Sequence, residues 1–343
     1  MLDRTNERRL VGGGALGLLT MALALVAACS GAAGNASASA TSFMQAKTVA
    51  LPGRLLFTKT SQIWGDVQSI FVTSDHHVSR LTAPGAYCCL LRISPDHRKI
   101  LVMPGGDIPL PVTGGTINLD GTHFARLQLT DPTLNLVPQA WSPDGKRIAF
   151  EGWDDSDPAR TGVYTARVGD GGGLIRVTTR PGALHDVPLD YSPDGRYLVF
   201  YRAVGVDPDP QVGGSLWVVG VNGSGAHQIA SASDRPGSWA RWSPDGRQIL
   251  FANERTAPTG AIWTVAPDGS RLAQLFRDDQ GRFPIGPVWS PDGSQVLFAL
   301  DPTNDAFTHP DNGFYVVSAD GTGLALVNGS HDFKSQPEWF ATT

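Results

Sequence analysis

Cysteine is nearly missing: three residues in 343 cannot build a disulfide scaffold. Charge is sparse at 17%, and the formal net charge of −5 denies the chain the basic surface of a nucleic-acid binder. No P-loop, helix-opening G-x-G-x-x-G, C-x-x-C, H-x-H, H-E-x-x-H, EF-hand-like loop or G-x-S-x-G occurs, so no cofactor and no metal are expected. Those absences do not exclude an enzyme whose site is assembled from distant segments. Glycine (40) and proline (25) are plentiful without a collagen-like period, which favours many turns over long helices. A hydrophobic fraction of 41% supplies a sizeable core and excludes wholesale disorder.

The N-terminus carries an address. Arg4, Arg8 and Arg9 precede an uncharged run of 19 residues, Leu10 to Ala28, and then Val26-Ala27-Ala28-Cys29. This end resembles a bacterial lipobox. The resemblance implies acylation of Cys29 and removal of residues 1–28, which would leave a net charge of −6. An uncleaved membrane anchor is the alternative, because 19 apolar residues nearly span a bilayer. Either way the arginines stay inside and the remainder is exported. The expected location is extracytoplasmic, tethered to the cell membrane or to an outer membrane. Residues 29–51 are rich in Ala, Ser, Gly and Thr and read as a flexible tether.

Residues 52–343 are organised by a repeat. ISPDHRKILV starts at Ile93, WSPDGKRIAF at Trp141, YSPDGRYLVF at Tyr191, WSPDGRQILF at Trp242 and WSPDGSQVLF at Trp289. The serines are spaced by 48, 50, 51 and 47 residues. In each copy an aromatic or branched residue ends strand A. Pro then presets φ, Asp caps the turn and Gly accepts a positive φ before strand B. A second turn follows at Asp120-Gly121, Asp170-Gly171, Asn222-Gly223, Asp268-Gly269 and Asp320-Gly321. These dipeptides predict two-residue hairpin turns between strands C and D.

The ends complement each other. Arg54-Leu55-Leu56-Phe57 has the pattern of strand B without a preceding A, and Gln336–Phe340 that of an A without a following B. The expected fold is therefore all-β: a six-bladed β-propeller of four-stranded antiparallel blades, closed by the C-terminal strand completing the first blade.

Over residues 52–340 this pattern resembles the TolB-like (WD40-like Pro-Asp) propeller repeat. The resemblance implies an envelope binding module, although the repeat also occurs in peptidase propellers and polysaccharide lyases. Ahead of the repeats this chain has a tether rather than the α/β domain of TolB.

Recurrence assigns the turn aspartates and Trp141, Trp242, Trp289 and Trp339 to structure. The B–C loops are acidic and vary in length. Trp153, Asp154, Asp155, Asp157, Asp207, Asp209, Glu254, Asp301, Asp305 and His309 form the candidate partner-binding rim. Solvated loop charge is the plainer reading. His185-Asp186 and His331-Asp332 precede strands A and are placed at the channel mouth, as acid/base groups or as loop caps. Cys88-Cys89 lies in a strand A, where successive side chains point to opposite faces. The expected function is a membrane-tethered, monomeric module that binds an envelope protein or peptide, with a cell-wall glycan as the other ligand class. The alternative is a channel-sited polysaccharide lyase or hydrolase.

Overall fold

The computed structural model describes residues 51–60, 68–74, 77–83, 86–104, 111–179, 185–203, 214–253, 260–301, 313–328 and 334–341. Cys29, Asp207, Asp209, Glu254, Asp305, His309, His331 and Asp332 lie outside them.

Among the described residues, twenty-four strands form six four-stranded antiparallel sheets. Blade 1 contains β1 (Arg54–Thr60), β2 (Gln68–Ser74) and β3 (His77–Arg80). Blade 2 contains β4 (Tyr87–Ile93), β5 (Lys99–Pro104), β6 (Gly115–Asn118) and β7 (Ala125–Arg126). Blade 3 contains β8 (Asn135–Trp141), β9 (Arg147–Trp153), β10 (Gly162–Arg167) and β11 (Ile175–Arg176). Blade 4 contains β12 (Asp186–Tyr191), β13 (Tyr197–Arg202), β14 (Ser215–Gly220) and β15 (His227–Ala230). Blade 5 contains β16 (Pro236–Trp242), β17 (Ile249–Asn253), β18 (Ala261–Val265) and β19 (Ala273–Arg277). Blade 6 contains β20 (Phe283–Trp289), β21 (Gln295–Asp301), β22 (Gly313–Ser318) and β23 (Ala325–Asn328). The last strand, β24 (Lys334–Phe340), pairs with β1 and supplies the missing inner strand of blade 1.

The inner strands β4, β8, β12, β16, β20 and β24 pack against one another in that order, and β24 returns to β4. The ring is thus closed, as the repeat predicted. Each blade contact has its own apolar cluster. Between blades 3 and 4, for example, Ala149 and Val163 meet Leu198 and Phe200. The last apolar position of each RIAF-type segment is buried: Phe57, Val102, Phe150, Phe200, Phe251 and Phe298 are at most 2% exposed. Burying each Phe is worth roughly 1.5–3 kcal/mol, so the pattern that reads as a repeat also holds neighbouring blades together.

The A–B turns behave as their residues require. Ser243 Oγ donates to Asp245 Oδ1 at 2.7 Å, which also accepts from the Arg247 N–H. Gly246 has φ +71°, and its N–H donates to Ser243 O. The same pattern recurs at Ser94, Ser142, Ser192 and Ser290. In the Ser94 copy the left-handed position is held by His97, φ +56°.

The C–D turns differ from the expected two-residue form. Gly121 N–H donates to Asn118 O, and Asn118 N–H donates to Thr122 O. Gly121 (φ +85°) is the residue of this turn with positive φ. That is a type I turn followed by a left-handed Gly bulge, a three-residue loop. Asp120 prefers it because its carboxylate caps both the N–H and the hydroxyl of Thr122.

Candidate functional site

The residue before the terminal aromatic or branched residue of each inner strand has the same register in all six blades. Glu338 faces Leu56, Arg92 faces Leu101, Ala140 faces Ala149, Asp190 faces Val199, Arg241 faces Leu250 and Val288 faces Leu297. From blade 1 to blade 6 the ring reads Glu, Arg, Ala, Asp, Arg, Val. An acidic–arginine–apolar triplet therefore occurs twice around the channel. Just ahead of it the ladder shifts register, at Cys88/Arg92, Pro138/Ala140, Pro188/Asp190, Pro236/Ala240 and Ile285/Val288. Such bulges re-aim the side chain that follows. Proline suits these sites because it has no ladder hydrogen to lose.

The ring is cross-linked by charge. Glu338 Oε1 accepts from Arg92 Nη1 at 3.1 Å and from Arg241 Nη2 at 2.7 Å. Arg92 and Arg241 belong to opposite blades, and blade 6 lies between Arg241 and Glu338. The Arg241–Glu338 bond reaches past the short Val288 side chain. Asp190 turns to the backbone: Oδ1 accepts from its neighbour Tyr191 N–H, and Oδ2 accepts from Trp242 N–H at 3.0 Å. Burial pushes Asp190 up to about 6, against the pull of Arg241, the Trp242 N–H and Arg92. Burial, and then Arg241, bring Arg92 down to about 10. The ring thus sets two guanidinium groups against two carboxyl groups.

Above the ring, at the end bearing the Ser-Pro-Asp-Gly turns, is a cup of about 250 Å³. Its wall includes Trp141, Trp242, Trp289 and Trp339 and the turn prolines Pro95, Pro244 and Pro291. The indoles are 7–8% exposed and also seal blade contacts. Trp141 Nε1 donates to Arg92 O and Trp339 Nε1 to Pro52 O. Sequence reasoning assigned these tryptophans to packing but missed the ring. Aligning the repeats and reading the column before the aromatic would have exposed it.

At the opposite ends of the strands, Asp186 opens β12 directly after His185, and Trp153 closes β9. His185 Nδ1 is 2.7 Å from Glu151 Oε1, and the Trp153 ring centroid lies 6.1 Å from that of His185. Burial alone would lower the His185 pKa, but the Glu151 hydrogen bond and charge outweigh it and the pKa is raised. Glu151, in β9, carried no sequence signal. Asp186 is fully buried in a bidentate pair with Arg202 at 2.8 Å. Arg202 in turn lies 4.6 Å from the Trp217 ring centroid.

The described rim residues divide into two groups. Trp153 is 5% exposed and donates through Nε1 to Asp155 Oδ1. Asp154 is 6% exposed; Ser156, and then Arg160, hold its carboxyl at about 2. These two build the rim, whereas Asp155 and Asp157 are exposed on it. Asp157 also caps the short 3₁₀ turn Pro158–Arg160. Asp301 ends β21; its side chain, like those of Cys88 and Cys89 in β4, lies outside the described residues. Among the described residues no group of three metal-ligating side chains converges, and no helix is long and apolar enough to cross a membrane.

No family model matches the chain, and no curated protein matches it. Solved structures do. TolB from Acinetobacter baumannii is 14% identical with a TM-score of 0.59, over 83% of this chain and 66% of that one. A putative TolB from Agrobacterium tumefaciens is 18% identical, TM-score 0.56, over 85% of this chain and 100% of that one. Oligogalacturonate lyase from Vibrio parahaemolyticus is 12% identical, TM-score 0.53, over 79% and 78%. This chain thus spans just under two thirds of the Acinetobacter protein. At such identities the likeness defines the fold: the chain is a TolB-like six-bladed β-propeller.

Proposed function

We propose that this chain is a non-catalytic binding module held outside the cytoplasmic membrane by lipid on Cys29. Residues 1–28 are its signal peptide, residues 29–51 its tether and the remainder its propeller. The rim loops bind an envelope protein or peptide. The observation that carries this reading is the ring: its arginines and carboxylates bond one another and the backbone across the channel, which makes a braced scaffold rather than a set of free catalytic groups. Binding through preorganised loops on such a scaffold loses little entropy. Acidic loops steer a basic partner toward one face.

The test compares cross-linked partners of the native lipidated protein with those of a variant in which Asp155, Asp157, Asp207, Asp209 and Asp301 are Ala. Asp154 is left intact because it anchors Arg160. A partner retained by the native protein and lost by the variant supports the module. Capture indifferent to all five changes refutes the acidic-rim reading. Replacing Cys29 with Ser should release the protein from membranes and abolish incorporation of labelled fatty acid.

A second reading is a glycan-cleaving enzyme. It is favoured by His185, whose Nδ1 is fixed by Glu151, leaving Nε2 as a group able to exchange a proton. Turnover of acidic oligosaccharides that disappears in His185→Ala would establish it in place of the first.

A further inference from the structure

We propose that the cup on the Ser-Pro-Asp-Gly face is a binding site for a monocarboxylate with a small apolar body, received by the guanidinium groups of Arg92 and Arg241. This site shares the ring with the function proposed above but lies at the other end of the channel from the acidic rim, and its test reads ligand binding at the ring rather than partner capture by the loops.

Four observations carry it. First, the ring has more donors than acceptors. Two guanidinium groups bring five N–H donors each. Their acceptors among the described residues are Leu91 O, Leu189 O and a single oxygen, Glu338 Oε1. Both Asp190 oxygens are engaged by backbone N–H groups. Second, three buried donors in the cup wall have no acceptor among the described residues: Arg92 Nε, Trp242 Nε1 and Trp289 Nε1. Their counterparts on Trp141 and Trp339 are both satisfied. An unmet buried donor costs about 1–3 kcal/mol, so the cup wall is short of acceptors in blades 2, 5 and 6. The three N–H groups lie beneath the cup surface, so the guanidinium edges make first contact.

Third, both arginines are reachable from the cup, with side chains 11% and 13% exposed. Ala140, the smallest ring member, lines the cup between Arg92 and Asp190. Fourth, the charge count selects the ligand. Two guanidinium groups stand beside two carboxyl groups, so a ligand with one negative charge meets less repulsion there than one with two. A phosphoryl dianion would meet both carboxylates. Arginine also binds carboxylate as a fork, which gives the site orientation. The indole and proline wall takes the apolar body.

A free small acid and the C-terminal end of a peptide offer the same chemistry. The experiment therefore uses three probes on the intact protein: benzoate, N-acetyl-alanyl-leucine with a free carboxylate, and the same dipeptide as its C-terminal amide. Tryptophan emission is followed during titration, because four indoles line the cup. The expected result is a saturable change with one or both acids and none with the amide. Saturation by benzoate alone identifies a free acid as the ligand, and saturation by the dipeptide acid identifies a chain end. Arg241→Gln, checked for folding by its thermal transition, should weaken binding by about tenfold or more. Equal binding of amide and acid, or no saturable change with either acid, overturns the proposal. So does acid binding that folded Arg241→Gln leaves unchanged. The acid-against-amide comparison on the native protein stands even where the variant fails to fold.

Discussion

Single residues in this protein are priced by what they can and cannot bond. Asp190 is the clearest case. Its carboxyl rises to about 6 because burial outweighs Arg241, the Trp242 N–H and Arg92. An acid with a raised folded-state pKa binds its proton more tightly when folded, so its ionisation costs stability as pH rises from the unfolded value through 6. Asp190→Asn should therefore stabilise the protein by about 1–3 kcal/mol at pH 8 and have little effect near pH 4, read from urea unfolding at both pH values. A loss of stability at pH 8 would show that Asp190 pairing with the arginines outweighs its burial. His185 has the opposite sign. Its raised pKa means that the His185–Glu151 pair stabilises fully below the unfolded value near 6.5 and fades as pH rises through the folded one. Glu151→Gln should lower the His185 pKa, measured from its imidazole resonances in NMR. An unmoved titration would deny the pairing.

Elements are set by the turns, and the turns were the most legible part of the sequence. Five Ser-Pro-Asp copies, four of them followed by Gly, located the A and B strands, and five Asp-Gly or Asn-Gly pairs located C and D. The glycines nevertheless differ in what they tolerate. A Cβ at Gly246 meets only Pro193 carbons, nearest 3.6 Å, so Gly246→Ala bears the positive-φ penalty of about 1 kcal/mol and little else. At Gly321 the same atom would collide with the Leu275 carbonyl oxygen of the neighbouring blade. Gly321→Ala should therefore destabilise clearly more than Gly246→Ala in side-by-side thermal unfolding. Equal costs would mean that the C–D turns are not wedged against the next blade. The Gly bulge itself was not legible, because Asp-Gly serves both two-residue and three-residue hairpins. The channel ring escaped for another reason. Its column holds Glu, Arg, Ala, Asp, Arg and Val, so no single residue type marks it from blade to blade, and only strand register brings the six together. Glu151 and His185 are 34 residues apart and meet by blade packing alone.

At the scale of the molecule, closure governs stability. β24 gives β1 its only partner on that edge and places Glu338 in the ring. A chain ending at residue 333 would lose both and bare an edge strand. It should unfold with lower cooperativity and aggregate, seen as a broadened calorimetric transition. A sharp, unshifted transition would contradict closure by the last strand. The complementary pattern of the two ends made this ring readable in advance, whereas its binding surface was not. The acidic loops mark a face by composition, yet burial assigns Trp153 and Asp154 to the scaffold and leaves Asp155 and Asp157 facing outward.

The most direct test of the binding-module account is site-resolved photo-cross-linking in the native membrane. A photoreactive side chain is placed at Asp155 on the acidic rim and, separately, at Arg196 on the opposite face. The account predicts one discrete adduct from position 155 and none of the same mass from 196. Identical adducts from both faces, or none from 155, would contradict it.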